Sequence, residues 1–276
     1  MDKFVLEYES EIRLAVFLGM FITIAVWELI VPRRSLSCPR LFRWSSNLAI
    51  VVLNTISLRL IFPAAAIGVS AYAMSRGWGL FNILLLPNWI EAVLSILALD
   101  LLIYWQHVVF HRVPLLWRVH RVHHTDLDFD VTTGVRFHPV EILLSMIIKM
   151  LAVIILGAGV VAVLIFELVL NASSMFNHGN VHLPLRGDKA LRLILVTPDM
   201  HRVHHSTVME ETNSNFGFNL PWWDYIFDTY RSQPRAGHDG MTLGLCEFRD
   251  LRKQSIWDLV VLPFVRNVVI RPQKDG

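Results

Sequence analysis

Histidine is the residue whose number and spacing point to chemistry in this sequence. Twelve are present in 276 residues, and eleven of them fall between His107 and His205. Ten form four clusters: His107-Val-Val-Phe-His111, His120-Arg-Val-His123-His124, His178-Gly-Asn-Val-His182 and His201-Arg-Val-His204-His205. The second and fourth share the pattern H-R-V-H-H, the nearest approach to an internal repeat. On a helix, residues i, i+3 and i+4 project from one face. An i, i+4 pair therefore bites a metal ion from one side, and an H-x-x-H-H cluster presents three imidazoles on one stripe for two ions to share. One ion takes about four to six ligands, so ten imidazoles divide between two. Imidazole suits Fe, Zn, Cu or Ni, and the donor type leaves the metal open. A single pair in isolation reads more readily as an ordinary histidine with a satisfied hydrogen bond. Four clusters in about 100 residues, two nearly identical, oppose that reading, and their varied surroundings are unlike a low-complexity polyhistidine tract.

The elements that must position these side chains are apolar. Hydrophobic residues make up 54% and charged residues 17%, against roughly 45–50% and 25% in soluble domains. This composition excludes a disordered chain, a nucleic-acid-binding tail and a coiled coil, and argues against a soluble enzyme. The balance of 25 basic and 23 acidic residues, formally +2, aims no field at polyanions, so no nucleic-acid partner is expected. Two cysteines, Cys38 and Cys246, are too few for a disulfide framework or a Cys-rich metal site. Apolar runs cover 12–31, 48–74 (with Arg59 and Pro63), 89–104 and 142–170, and a helix needs ~20 residues to span a bilayer. Buried core helices would leave too little polar surface for a soluble shell. Asp2, Glu7, Glu9 and Glu11 precede the first run, so it reads as a retained helix and not a cleaved signal peptide. The 32–47 loop holds Arg33, Arg34, Arg40 and Arg43 with no acid, and the 75–88 loop holds only Arg76. The first loop is therefore expected in the cytoplasm, with the N-terminus outside and the chain back in the cytoplasm near His107.

If both H-x-x-H-H clusters serve one centre, they lie on one side of the membrane, and the apolar run between them crosses an even number of times. That predicts a hairpin of 142–156 and 160–176 turning at Gly157-Ala158-Gly159, with arms of about 23 Å. Such arms are short for a ~30 Å core, and so re-entrant or barely spanning. One long tilted span would separate the histidines. The expected fold is all-α: a polytopic transmembrane bundle with a cytosolic helical cap carrying a histidine-rich dimetal site. Residues 1–106 would form the N-terminal transmembrane helices. Residues 107–276 would form the catalytic region, with the membrane hairpin at 142–176. The apolar stretch 256–270 reads as a helix lying on the membrane surface.

These residues, over roughly 90–230, resemble the fatty acid hydroxylase/sterol desaturase superfamily of integral-membrane oxygenases. Asp100-x-x-x-Tyr104-Trp105-x-His107-x-x-x-His111 is similar to its first box, and His120-x-x-His123-His124 to its second. Arg136-Phe-His138-Pro139-x-Glu141 resembles a segment that follows. His178-x-x-x-His182 and His201-x-x-His204-His205 resemble the last two boxes. Asn213-x-Asn215-Phe-Gly217, Trp223-Asp224 and Phe227-Asp228-Thr229 resemble the closing stretch, where Asp228 stands in place of the family's usual glycine. The resemblance implies the ten box histidines as ligands of two metal ions. Iron is expected in the active enzyme, with zinc possible in isolated protein. It further implies O₂ as co-substrate and two external electrons for hydroxylation or desaturation of a lipid, whether sterol, fatty acyl or alkyl. The chain has no G-x-G-x-x-G behind a strand, no C-x-x-C-H and no Cys₄ set, so a separate reductase, ferredoxin or cytochrome is implied, with a pterin as a further option.

Around the boxes, Asp100, Tyr104, His107 and His111 share one helical face. A carboxylate in an apolar helix is costly unless paired. Asp100 is therefore expected to orient a ligand imidazole through the ring's other nitrogen, with an arginine pair as the alternative. Tyr104 is expected to support the same ligands. His138 supports a ligand, lines the substrate channel or is structural. Asn177, Asn213, Asn215 and Asp224 bond ligands or cap turns. Two rival functions use the same clusters. A membrane metal carrier or transporter would string histidines along a path through the spans, yet none lies mid-span. A dizinc hydrolase would need a general base near the metals and no electron donor. The absence of a Lys-Lys retrieval signal near Gly276 favours a bacterial inner membrane over the endoplasmic reticulum.

Overall fold

The apolar runs fold as long helices that share two ends. The computed structural model describes residues 2–84 and 86–265. The helices are α1 (Asp2–Ile30), α2 (Arg40–Ile61), α3 (Ala65–Ser75), α4 (Leu80–Leu84), α5 (Asn88–Arg112), α6 (Pro114–His124), α7 (Pro139–Leu156) and α8 (Val160–Asn177). Short helices follow: α9 (Leu185–Leu191), α10 (Pro198–His204), α11 (Met209–Thr212), α12 (Trp222–Ile226), α13 (Gly237–Gly240) and α14 (Ile256–Val261). Among the described residues there is no strand, only the isolated antiparallel bridges Pro32–Val181 and Ser206–Leu243. Five stretches among the described residues are long and apolar enough to cross a membrane: Asp2–Ile30, Arg40–Leu84, Asn88–Arg112, Pro139–Leu156 and Val160–Asn177. The molecule is a multi-pass α-helical membrane bundle with a histidine-bearing cap at one end.

A few hydrogen bonds fix the direction of each crossing. At the end far from the histidines, the Ser70 hydroxyl donates to the Ala158 carbonyl (2.6 Å), and Glu91 accepts from the Gly159 N–H (2.9 Å). At the histidine end, the Asn54 amide donates to the Phe137 carbonyl (2.9 Å). There, Glu28 accepts from the N–H groups of Val131 (2.7 Å) and Asn180 (2.8 Å). Helices α2 and α3 therefore make one crossing alongside α7. The run expected over 48–74 is interrupted between Ile61 and Ala65, because Pro63 has no N–H to continue the ladder and its ring clashes with the preceding turn.

The chain reverses between α7 and α8 at Gly157 (φ 70°), a left-handed position that suits glycine. Both ends of this hairpin return to the histidines. Its arms splay: α7 packs mainly on α2 and α3, whereas α8 packs mainly on α1 and α5, with α3 lying against both arms. The turn is braced by Gly79 (φ 98°), whose backbone lies so close that a Cβ there would sit 2.2 Å from the Gly157 nitrogen.

The C-terminal apolar stretch departs from expectation. Helix α14 starts in a Ser255–Asp258 capping box and ends at Val261. Leu259 and Leu262 are buried against Ile50 and Val122. The segment is thus docked on α2 and α6, because its apolar residues find a protein groove before they find lipid. Trp257 and Phe264 remain exposed. Residues 266–270 of the expected surface helix lie outside the described residues.

Gly79→Ala is expected to unfold the turn, at a cost above ~3 kcal/mol. Gly77→Ala, also at positive φ but facing open space, should cost only about 1–2 kcal/mol. Thermal unfolding of the two variants in detergent checks the contrast.

Candidate metal centre

Four elements deliver the histidines to one place. The last turns of α5 carry His107 and His111. Helix α6 begins with Pro114 at its first position and carries His120, His123 and His124. Helix α8 ends just before His178. Helix α10 begins with a Thr197 cap and Pro198, and its last turn carries His201 and His204, with His205 as its C-cap. Proline at the first helical position is pre-organised for a helix, so the register of each H-x-x-H-H stripe is set by its first turn.

The nitrogens form two adjoining groups. One is His107, His111, His120, His124 and His204; the other is His123, His178, His201 and His205. Within each, one donor nitrogen per ring lies within 4.8 Å of all the others. The two H-x-x-H-H clusters exchange a member. His120 and His124 stay in the first group while His123 crosses to the second; His201 and His205 stay in the second while His204 crosses to the first. Rings of the two groups touch, with His124 and His205 stacked at 4.5 Å between centroids. All nine are buried except His111, which is partly exposed.

The proton arrangement fits metal binding. The Nδ1 atoms of His107, His178 and His204 each lie 2.7 Å from a backbone carbonyl, those of Phe216, Ser174 and Ser214 respectively. His120 Nδ1 lies 2.7 Å from Glu141 Oε1. An oxygen that only accepts fixes the proton on Nδ1 and leaves Nε2 as a bare lone pair. The Nε2 atoms of His107, His120, His204 and His205, His123 Nδ1 and both nitrogens of His201 have no protein partner. Nε2 of His178 and Nε2 of His123 lie 3.0 Å apart, and those of His111 and His124 3.1 Å apart. That is a natural spacing for neighbouring donors on an ion bonded at ~2.1 Å. The residues present fit two metal ions.

Burial, reinforced for most of these rings by neighbouring imidazoles, holds His123, His124, His201 and His205 well below the usual histidine range. It brings His178 and His204 down to about 3. All six are neutral at physiological pH, the form that binds metal.

His182 lies outside both groups. Helix α8 ends at Asn177, so the i, i+4 relation to His178 does not apply. The chain beyond is extended and bridged to Pro32, with the His182 N–H on the Val31 carbonyl. Extended backbone alternates its side chains: Val181 is buried and His182 is exposed.

The supporting residues act one step further from the rings than expected. Among the described residues Asp100 bonds no imidazole and no arginine; it accepts from Trp223 Nε1 (2.8 Å) and the Leu220 N–H (3.3 Å). Asp224 accepts from the N–H groups of Phe216 (2.8 Å) and Gly217 (2.9 Å) and from Thr229 Oγ1. Tyr104 meets Thr229 at 2.9 Å. Asn215, at φ 52°, donates to the Met200 and Arg231 carbonyls. Together they hold the 213–229 loop, whose Ser214 and Phe216 carbonyls orient His204 and His107. Asn213 itself reaches His111 Nδ1 at 3.3 Å. Asn177 donates to the Phe218 carbonyl. His138 caps α7 and meets the Val260 carbonyl at 3.1 Å, away from the rings. Asp228 takes φ 55°, the left-handed region that glycine enters freely and aspartate tolerates. This explains the usual glycine at that position.

Glu141 stands in the Arg136–Glu141 segment, but sequence reasoning gave it no role; the structure places it on His120 Nδ1. Its signal was a carboxylate at the start of the most apolar helix, three residues after His138. Missed too was the role of Arg43, buried between Asp126 (2.7 and 2.8 Å) and Asp130 (2.5 Å). Although burial opposes it, Arg43 and Arg136 hold Asp126 below the carboxylate range. This pairing ties the 125–135 loop, which follows the first H-x-x-H-H, to α2.

A helical membrane protein with two adjoining imidazole groups at one end of its bundle is the class that fold and site define. Residues 92–229 match the family model for fatty acid hydroxylase, and the chain belongs to that family, within the sterol desaturase superfamily. It is 32% identical over 149 residues to the ornithine lipid hydroxylase OlsE of Rhizobium tropici, covering 54% of this chain and 44% of that one. To the alkylglycerol monooxygenase of Homo sapiens it is 28% identical over 180 residues, 62% of this chain and 38% of that one. To the very-long-chain aldehyde decarbonylase GL1-7 of Oryza sativa subsp. japonica it is 26% identical over 185 residues, 62% and 29% respectively. The chain spans less than half the length of these curated relatives. No solved structure matches.

Glu141→Gln is expected to weaken metal retention by about 10–100-fold, while His182→Ala retains the full metal complement; elemental analysis after chelator challenge distinguishes them. In metal-free protein His123, His124, His178, His201, His204 and His205 take protons near pH 6.5 when unfolded and resist them when folded. Stability is therefore full above about pH 6.5 and falls progressively beneath it. Melting of the metal-free protein at pH 7, 6 and 5 should show a steep decline that loaded protein resists.

Proposed function

We propose that this chain is a membrane-bound dimetal oxygenase that uses O₂ and two externally supplied electrons to hydroxylate a lipid. The observation that carries this reading is the pairing of the two imidazole groups with an apolar cavity of about 810 Å³ between α1, α2, α5, α7 and α8, whose lining includes His107 and His120. The cavity touches only the five-histidine group. Phe110, Phe137, Ile103 and Phe218 line the approach, so a hydrocarbon chain laid there is desolvated and aligned with its end towards these rings.

Iron held by these histidines would supply, when bound, the redox chemistry with O₂ needed to break an unactivated C–H bond. The protein's own contribution is geometric and electrostatic. Carbonyl oxygens and Glu141 fix the ring orientations, burial keeps His123, His124, His178, His201, His204 and His205 neutral, and the aromatic lining excludes water. Gathering nine histidines at one end of the bundle gives no path along the spans, which argues against a metal carrier. The electron donor is assigned outside residues 1–276. The arginine-rich 32–47 loop packs on the cap, as in the Arg33–Asp199 pair (3.2 Å). Counted by the positive-inside rule, it supports a histidine end facing the cytoplasm, in our reading of a bacterial inner membrane.

Detergent-purified protein is expected to hold two irons per chain in a coupled site by elemental analysis and Mössbauer spectroscopy, and to consume O₂ with reductant and lipid. His123→Ala and His204→Ala, each removing the ring that crosses between groups, should abolish turnover with normal membrane insertion. Full turnover in either variant would sink the assignment. Two zincs with no O₂ uptake after iron reconstitution would turn it into a hydrolase.

A further inference from the structure

The cavity that reaches His107 and His120 holds, away from the rings, charged side chains that the reaction does not use. Glu167 on α8 pairs with Lys149 on α7 (2.5 Å) and with Arg13 on α1, and Arg13 pairs with Glu9 (2.7 Å). Arg59 on α2 lines the same cavity and has no ion-pair partner among the described residues. The lining thus carries three cations against Glu9 and Glu167, with Glu141 engaged by His120 at the histidine end, and Glu167 is shared by two of the cations. Charge within a membrane bundle is costly unless paired, and it clusters where polar substrate groups bind. The splay of the hairpin arms makes the site: Lys149 and Glu167 bridge them, and the space they leave runs on to the histidines. Leu14, Phe17, Val51, Leu58 and Phe62 add hydrocarbon to the lining, interspersed with neutral polar residues such as Asn54, Gln106 and Ser145.

We infer that Arg59, Arg13 and Lys149 form the binding site for the anionic group, carboxylate or phosphate, of an amphipathic substrate whose apolar chain extends from there to the histidine end. Arg59, left without a carboxylate among the described residues, selects an anion over a cation or a neutral head. Helix geometry sets the span. Lys149 lies eight residues along α7 from Glu141, ~12 Å at 1.5 Å per residue, and Glu167 lies eleven residues before His178, ~17 Å. The cluster therefore acts as a ruler, and the carbon presented to the metals is the one that far from the anion. The anion site rests on the cavity alone; the ruler also rests on the oxygenase reading.

The test measures binding without turnover, on full-length protein in phosphatidylcholine nanodiscs. The probes are dodecyl phosphate, laurate, dodecanol, dodecyltrimethylammonium and inorganic phosphate. Dodecyl phosphate and laurate are expected to bind at least about tenfold tighter than dodecanol, with the ammonium and inorganic phosphate weakest. Arg59→Gln, which removes no ion pair, should lose about that factor for the two anions and leave dodecanol unchanged. Lys149→Gln should act in the same direction. Equal binding of dodecanol and dodecyl phosphate, preference for the ammonium, or anion binding untouched by Arg59→Gln would each overturn the proposal. Tight binding of inorganic phosphate without a chain would overturn the amphiphile. Iron content and O₂ uptake are read separately on the same preparation. Failed anion selectivity with normal O₂ uptake therefore removes the cluster's role and leaves the oxygenase, and the converse removes the oxygenase and leaves the anion site.

Discussion

Imidazoles packed this closely disfavour protonation, because each proton added would place a cation beside other rings with little water to screen it. Burial holds His123, His124, His178, His201, His204 and His205 below the usual histidine range. A neutral imidazole then has one N–H to donate and one lone pair to satisfy. In this protein the N–H groups of four rings go to fixed oxygens, three backbone carbonyls and Glu141, which turns the remaining lone pairs towards one another. Backbone carbonyls suit this task because they accept only and cannot rotate away. The rest of the cap can be understood as the means of holding those oxygens still. Asp224 fixes the strand of chain that presents Ser214 and Phe216, Asp100 fixes the turn after it, and Asn215 ties both to α10 and Arg231.

The same logic extends to the buried charges. Arg43 lies between Asp126 and Asp130, and Arg136 reaches Asn47, Thr125 and Gln254. Buried ion pairs contribute little net stability relative to apolar packing, but removing one partner leaves a stranded charge. Their use here is positional: they fasten the loop after α6 onto α2, so that the first H-x-x-H-H faces the second at a fixed distance. The 33–43 arginines therefore do two things. They supply the charge asymmetry that reads as topology, and Arg33, Arg34 and Arg43 bond directly to the cap.

The two imidazole groups are not equivalent in their surroundings. The five-histidine group borders the cavity between the hairpin arms, whereas the four-histidine group is backed by Phe129 and by Phe137 stacked on His123 at 4.5 Å. Splaying of α7 from α8 creates the first environment, and the loops around 125–137 create the second. A bundle packed tightly throughout would have held the rings equally well and left no way for a hydrocarbon to reach them.

Much of this was legible in the residues alone. Hydropathy and length required helices in a bilayer, because backbone polar groups there must be satisfied within the segment. The i, i+3, i+4 spacing put His120, His123 and His124 on one stripe, and His201, His204 and His205 on another. The demand that both stripes share one side of the membrane required the chain to double back, and glycine at 157 is where it does. What tertiary structure decided is everything that depends on where a loop passes. Only the facing of α6 against α10 determines that His123 and His204 exchange groups. Only the end of α8 one residue before His178 turns His182 outward. Glu141 and the Phe216 carbonyl become anchors through proximity across the chain, and a backbone carbonyl has no side-chain signature to read. Local periodicity fixes which face a residue occupies; the partner across that face is set by long-range packing, which spacing along the chain does not encode.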